Sequence, residues 1–179
     1  MTRIIAGTAR GRRLAAPKGQ GTRPTSDKVR GAVFNLLGQF FDGGAVLDLY
    51  AGTGALALEA LSRGCDRAVC VEADRGAAEV VQRNAESCGY GTRVEVLRGR
   101  VEQALGRLAP GTFDLVFIDP PYAEGPEAAL EAVAPLVREG GRVIAEHDAR
   151  RPPGERYGAL GLLDRRGYGD TGVSIYVRG

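Results

Sequence analysis

The tetrapeptide Asp119-Pro120-Pro121-Tyr122 sets a carboxylate, two ring-locked backbone units and an aromatic ring directly after the apolar run Phe113-Asp114-Leu115-Val116-Phe117-Ile118. Consecutive prolines remove two backbone donors and fix φ, so the segment holds its carbonyls and flanking side chains rigidly outward. Rigid acceptors suit a planar exocyclic amine, whose lone pair is delocalised into its ring. The Asp119 carboxylate and the Pro120 carbonyl can accept the two N–H bonds of such an amine. They would then aim its lone pair and stabilise the positive charge that develops on nitrogen. Tyr122 can stack on the ring face, a contact worth about 1 to 3 kcal/mol. The chemistry that fits is in-line transfer of a methyl group to nitrogen without a metal, with Asp119, Pro120, Pro121 and Tyr122 as the catalytic set.

A second constellation sits earlier, in Val46-Leu47-Asp48-Leu49-Tyr50-Ala51-Gly52-Thr53-Gly54-Ala55. Glycines where a strand turns into a helix let the backbone approach a ligand, and open α/β sheets bind ligands beyond the carboxyl ends of their strands. Gly52 to Ala57 also satisfies the dinucleotide fingerprint with alanine in third place, which keeps an NAD-dependent oxidoreductase open. Asp48 separates the two. Its carboxylate would repel a pyrophosphate but attract the ammonium and sulfonium charges of S-adenosylmethionine, by several kcal/mol, on the order of what a contact pair gains at a dielectric of about 20. Glu72, at the end of the next apolar run, is placed to accept from both ribose hydroxyls of either cofactor. The cofactor set read from these strand ends is Asp48, Tyr50, Ala51, Gly52, Thr53, Gly54, Glu72 and Ala73, with Asp119 facing it.

The elements that must position these residues follow from periodicity. From residue 45 onward, short apolar runs alternate with helical patterns, the signature of βαβ units and a parallel sheet. Strands are predicted at 45–50, 67–72, 93–97, 113–118 and 141–147, and helices at about 54–63, 74–88, 101–108 and 125–138. Stretches 157–164 and 171–178 alternate as a terminal hairpin across Gly167, Gly169 and Asp170. Upstream, Thr25 or Ser26 can cap a helix whose apolar positions are Val29, Val33, Phe34, Leu36, Leu37 and Phe40, ended by Gly43-Gly44. Arg3-Ile4-Ile5-Ala6 and Arg12-Arg13-Leu14-Ala15 flank Gly7 to Gly11 as a short β-hairpin.

With 179 residues, 44% hydrophobic and 26% charged, the chain fits one domain: a basic arm over 1–22 and an α/β core over 23–179. No stretch approaches 18 consecutive apolar residues, and the arginine-bearing N-terminus has no apolar signal region behind it, so the expected location is the cytoplasm. The expected state is a monomer. Cys65, Cys70 and Cys88 lack paired spacing and read as reduced thiols, and one histidine, His147, cannot make a metal site. Charge is uneven: residues 1–30 hold eight arginines and lysines against one aspartate, and the remainder is net negative. A basic arm on an acidic body is the footprint of a protein that docks a phosphate backbone, with Arg10, Arg12, Arg13 and Arg30 as RNA contacts.

The chain resembles the RsmD-type methyltransferases, which methylate N2 of a guanine in small-subunit (16S) ribosomal RNA. Arg3-Ile4-Ile5-Ala6-Gly7, Arg23-Pro24-Thr25 with Lys28-Val29-Arg30, the strand-end loop at 47–54, Glu59-Ala60-Leu61-Ser62-Arg63-Gly64, the tetrapeptide at 119–122 and Tyr168-Gly169-Asp170-Thr171 carry the likeness. It implies a class I, Rossmann-like AdoMet-dependent fold: a seven-stranded, mostly parallel sheet with its last strand antiparallel and helices on both faces. It implies S-adenosylmethionine as cofactor and ribosomal RNA, in the small subunit or its precursor, as partner. By the same resemblance Asp48, Gly52 and Gly54 line the methionyl end, and Arg23 and Thr25 lie near the active-site mouth. An acid common after the third strand is replaced by Gly99-Arg100-Val101. Arginine has no acceptor atom, so backbone groups near Arg100 and Val101 are expected to meet the adenine. Adenine-N6 and protein-glutamine methylation present an amine to a similar tetrapeptide and remain the alternatives within this chemistry.

Overall fold

In the computed structural model, residues 2–19, 26–121 and 123–179 are described. Tyr122, Arg23 and Thr25 lie outside them. Eight strands form one sheet in the order β3-β2-β1-β4-β5-β8-β7-β6. They are β1 (Ala45–Asp48), β2 (Arg67–Glu72), β3 (Val94–Arg98), β4 (Phe113–Ile118), β5 (Val137–Asp148), β6 (Arg156–Tyr157), β7 (Leu160–Tyr168) and β8 (Thr171–Arg178). Strands β1 to β5 pair in parallel, and β8 inserts antiparallel between β5 and β7.

The expected seven strands are thus eight. The extra one is a two-residue edge strand, β6, antiparallel to β7 through Tyr157↔Leu160. Gly158, at φ 55°, takes the first position of the two-residue loop between them, a backbone that other residues rarely adopt.

Helices cover both faces because the central strands β1, β2 and β4 are buried on both sides. Helices α1 (Asp27–Leu36), α2 (Ala55–Ser62) and α3 (Arg75–Ser87) pack over Val46, Cys70, Phe117 and Ile144. Helices α4 (Val101–Leu105) and α5 (Glu127–Val133) pack over Leu47, Val71, Val116 and Ala145. The helix expected over 125–138 is shorter, since Pro135 turns the chain into a 3-10 segment at Ala134–Leu136 and β5 then starts at Val137. Ser26 caps α1, its side chain accepting from the Val29 amide. Phe40, expected on the apolar face of that helix, is exposed because α1 ends at Leu36 and Gly38 follows at φ 100°.

The N-terminal hairpin reduces to one bridge, Arg3↔Arg13, and it is not a free arm. Ile4, Ala9 and Leu14 are buried in the same core as α1 to α3. The C-terminal half of α2 holds the arm down. Glu59 accepts from the amides of Ile5 and Ala6 at 2.9 and 3.1 Å, and Ser62 Oγ accepts from the Ala9 amide at 3.0 Å while donating to the Ala6 carbonyl at 2.6 Å. Gly7 is required at this contact: at φ 87°, a Cβ there would sit 1.8 Å from the Ser62 carbonyl oxygen.

Candidate active site

Asp48 ends β1, Glu72 ends β2 and Asp119 follows β4, on three neighbouring strands. Val46, Cys70 and Phe117, each two residues earlier, pack in one core, so the three acids lie over that same face of the sheet. The chain leaves β1 toward β2 on one side and returns to β4 on the other. Such a reversal opens the crevice where doubly wound sheets take ligands.

The Ala51 amide donates to the Val71 carbonyl at 3.1 Å, and the Gly54 amide to the Ala51 carbonyl at 2.7 Å. Gly52 and Gly54 take φ of 59° and 83°. A Cβ at Gly54 would also press to 3.2 Å from Val81, so glycine lets α2 start close against α3. Glu72 accepts from the Gly52 amide at 2.9 Å and the Asp74 amide at 3.1 Å, which ties this loop to β2 while each oxygen keeps a further lone pair. Thr53 lies at the turn into α2, its hydroxyl 3.3 Å from the Ala55 amide.

Asp48 is fully buried, and neither carboxylate oxygen has a hydrogen-bond partner among the described residues. Burial, then the charge of Asp119, pushes its carboxyl from 3.8 to about 7; the amides of Ala57 and Tyr50 pull the other way and Glu72 adds to the rise. Those two amides, short of hydrogen-bonding geometry, compensate the charge only in part, and such a buried acid is costly to ionise unless a cation arrives to pair with it. Burial, with the carboxylates of Glu124 and Glu102, also raises the Tyr50 hydroxyl. Ala73 is exposed beside Glu72, and Arg100 caps α4 with its backbone while its side chain points to solvent.

Asp119, Pro120 and Pro121 line a cavity whose other wall is Glu146, His147, Asp148 and Thr171. Sequence reasoning missed that wall. Glu146 to Asp148 end the last parallel strand, and Asp148 pairs with Thr171 across β5 and β8. His147 bonds Ser174 Oγ at 2.8 Å through Nε2 and meets the Asp148 carbonyl at 2.9 Å through Nδ1, and burial lowers its pKa. Gly172 makes room for it, since a Cβ there would come within 2.2 Å of the ring.

Arg10, Arg12 and Arg13 are exposed on the arm. Arg30 is not an RNA-facing cation. Its side chain is fully buried, with Nε 3.5 Å from Glu59, Nη2 3.1 Å from Asp27 and Nη2 donating to the Arg3 carbonyl. Arg63 completes the cluster, its Nε 2.8 Å from Glu59 and its guanidinium over the Phe34 ring. The cation expected on the surface is therefore a strut between α1, α2 and the arm. Cys65 and Cys70 are buried and Cys88 half-buried; burial drives the Cys65 thiol to about 12.

The family model described as conserved hypothetical protein 95 matches residues 2–177. YlbH of Bacillus subtilis, to which rRNA methylation is ascribed, is 40% identical over 181 residues, 98% of each chain. The chain belongs to the RsmD-type methyltransferase family. Ribosomal RNA small subunit methyltransferase D of Escherichia coli is 36% identical over 144 residues, covering 80% of this chain and 70% of that one. Among solved structures, yhhF of Escherichia coli, described as a methyltransferase, superposes with a TM-score of 0.83 at 29% identity over 99% of this chain and 97% of that one. This is the class I methyltransferase fold, and the RsmD-type motif at Glu59-Ala60-Leu61-Ser62-Arg63-Gly64 now has a physical role: Glu59 and Ser62 anchor the N-terminal arm, and Arg63 holds the Glu59 carboxylate in place.

Proposed function

We propose that this chain, folded as a single domain, uses S-adenosylmethionine to methylate the exocyclic N2 amine of a guanine in small-subunit ribosomal RNA. The observation that carries the reading is Asp48, a buried acid without a partner among the described residues, beneath the glycine loop and beside Asp119. A buried carboxyl that ionises when a cation arrives to pair with it fits the cationic methionyl end of S-adenosylmethionine and disfavours a pyrophosphate, which argues against a nicotinamide oxidoreductase. Glu72 has the lone pairs to accept from ribose hydroxyls while still holding the Gly52 amide.

When bound, the cofactor supplies a methyl group activated by its sulfonium charge. Asp119 and the Pro120 carbonyl orient the target amine and balance the charge that grows on its nitrogen. By the likeness to RsmD-type enzymes, Tyr122 would stack on the base, Arg23 and Thr25 would serve the active-site mouth, and backbone groups at Arg100 and Val101 would meet the adenine. Arg10, Arg12 and Arg13 engage the RNA backbone. A ribosomal RNA substrate supports the cytoplasm as its location. Among the described residues, no helix is long and apolar enough to cross a membrane.

The test is incubation with methyl-labelled S-adenosylmethionine and small-subunit particles lacking native methylation, followed by digestion and mapping. Label in N2-methylguanosine supports the reading; label in N6-methyladenosine or in protein overturns it. Thermal stabilisation by NADH but not by S-adenosylhomocysteine would overturn the cofactor as well.

A further inference from the structure

Guanine differs from adenine and cytosine in what stands beside its exocyclic amine. One ring neighbour of the guanine 2-amine, N1, carries a proton and donates. In adenine and cytosine the ring nitrogen next to the amine is a bare acceptor. A site that selects guanine therefore needs a second acceptor next to the one that holds the amine, and an ionised carboxylate offers only acceptors.

The cavity beside the tetrapeptide has such a group. Ile118 on β4 pairs with Ala145 on β5, so the next residues, Asp119 and Glu146, occupy adjacent positions on neighbouring strands, which lie about 4.8 Å apart. Phe117 and Ile144, two residues earlier, pack in the same core, so both acids stand over one face of the sheet, and both line the cavity. Asp148 accepts from the backbone and guanidinium of Arg150, and the His147 ring nitrogens are engaged by Ser174 and the Asp148 carbonyl.

We propose that Glu146 is the specificity-determining acceptor, taking the N1–H of the target guanine while Asp119 holds its 2-amine. The proposal rests on the reading of the chain as a guanine-N2 methyltransferase. An adenine with its amine at Asp119 turns the N1 lone pair toward the Glu146 carboxylate, which repels it and leaves the acceptor without its donor. Sites that hydrogen-bond one substrate group reject the analogue lacking it far more strongly than apolar pockets can.

The experiment uses small-subunit particles reconstituted with guanine, adenine or 2-aminopurine at the mapped position. The last base keeps the 2-amine but has a bare N1. Wild type is expected to favour guanine over 2-aminopurine by about 100-fold or more in kcat/KM. Glu146→Gln, whose amide can donate to a bare N1, is expected to cut that ratio at least about tenfold while binding S-adenosylhomocysteine as wild type does, and Glu146→Asp to keep the preference at lower kcat. Equal wild-type rates on guanine and 2-aminopurine overturn the proposal whatever the variants do, as does an unchanged ratio in Glu146→Gln. Failure of wild type to methylate the guanine particle overturns the parent reading together with this one.

Discussion

Asp48→Asn removes an ionisable group that folding makes expensive, so the variant should be more stable and less able to bind its cofactor. The carboxyl moves from 3.8 to about 7 on folding, with burial as the main cause and the Asp119 charge second. At 1.36 kcal/mol per pH unit, ionising it in the fold costs about 4 kcal/mol. The sign follows from proton counting. Between about pH 4 and about pH 7 the native chain holds a proton that the unfolded chain has released, so this group makes stability fall as pH rises through that window and adds no further slope above it. The advantage of Asp48→Asn over wild type should therefore be small near pH 4 and approach about 4 kcal/mol near pH 8. The chain has no tryptophan, so urea unfolding is followed by far-ultraviolet circular dichroism at both pH values. Calorimetric titration with S-adenosylhomocysteine should show a loss of about 1,000-fold in affinity, from an ammonium–carboxylate pair worth about 4 kcal/mol at contact. A stability advantage that does not change with pH, or unaltered S-adenosylhomocysteine affinity, would refute the reasoning.

Other perturbations separate the remaining roles. Asp119→Ala should abolish methyl transfer and leave S-adenosylhomocysteine affinity within a few-fold; wild-type turnover in that variant would remove Asp119 from the catalytic set. Replacing Arg10, Arg12 and Arg13 together by Glu should flatten the dependence of log affinity for RNA on log salt by about 2 or more, and an unchanged slope would make the arm's charges bystanders. Glu59→Ala strips Arg30 and Arg63 of their buried counter-charge and should cost about 3 to 5 kcal/mol in urea unfolding. Arg75→Ala, which breaks the exposed pair with Glu79, should cost about 0.5 kcal/mol or less. Comparable losses in the two variants would contradict the strut described for Glu59.

Asp48, Glu72 and Asp119 could be placed from the sequence because each ends an apolar run, and strand ends in a parallel sheet converge on one crevice. Arg30 was misread because charge was weighed above period. It stands three, four and seven residues before Val33, Phe34 and Leu37, on the buried face of α1, and that spacing was a usable signal. Its partner Glu59 comes from another helix, and no local pattern joins the two. Glu146 and Thr171 meet at the cavity only through the register of β5 and β8, which pairs residues distant in sequence. The strand β6, two residues long, is too short to show alternation.

Helix α2 begins at the glycine loop and, within its eight residues, reaches Glu59 and Ser62, which grip the arm. Asn84 of α3 closes the same circuit, accepting from the Ala15 amide at 2.8 Å and donating to the carbonyls of Ala15 and Thr53. The basic arm is consequently not a detachable module. Grafting residues 2–15 onto another methyltransferase would transfer a strap without its buckle, and clipping them from this one would leave the Glu59 carboxylate and apolar core surface facing water beside the glycine loop. Engineering a new RNA preference into this scaffold therefore means redesigning exposed arm side chains such as Arg10, Arg12 and Arg13 in place, with α2 and Asn84 kept as they are.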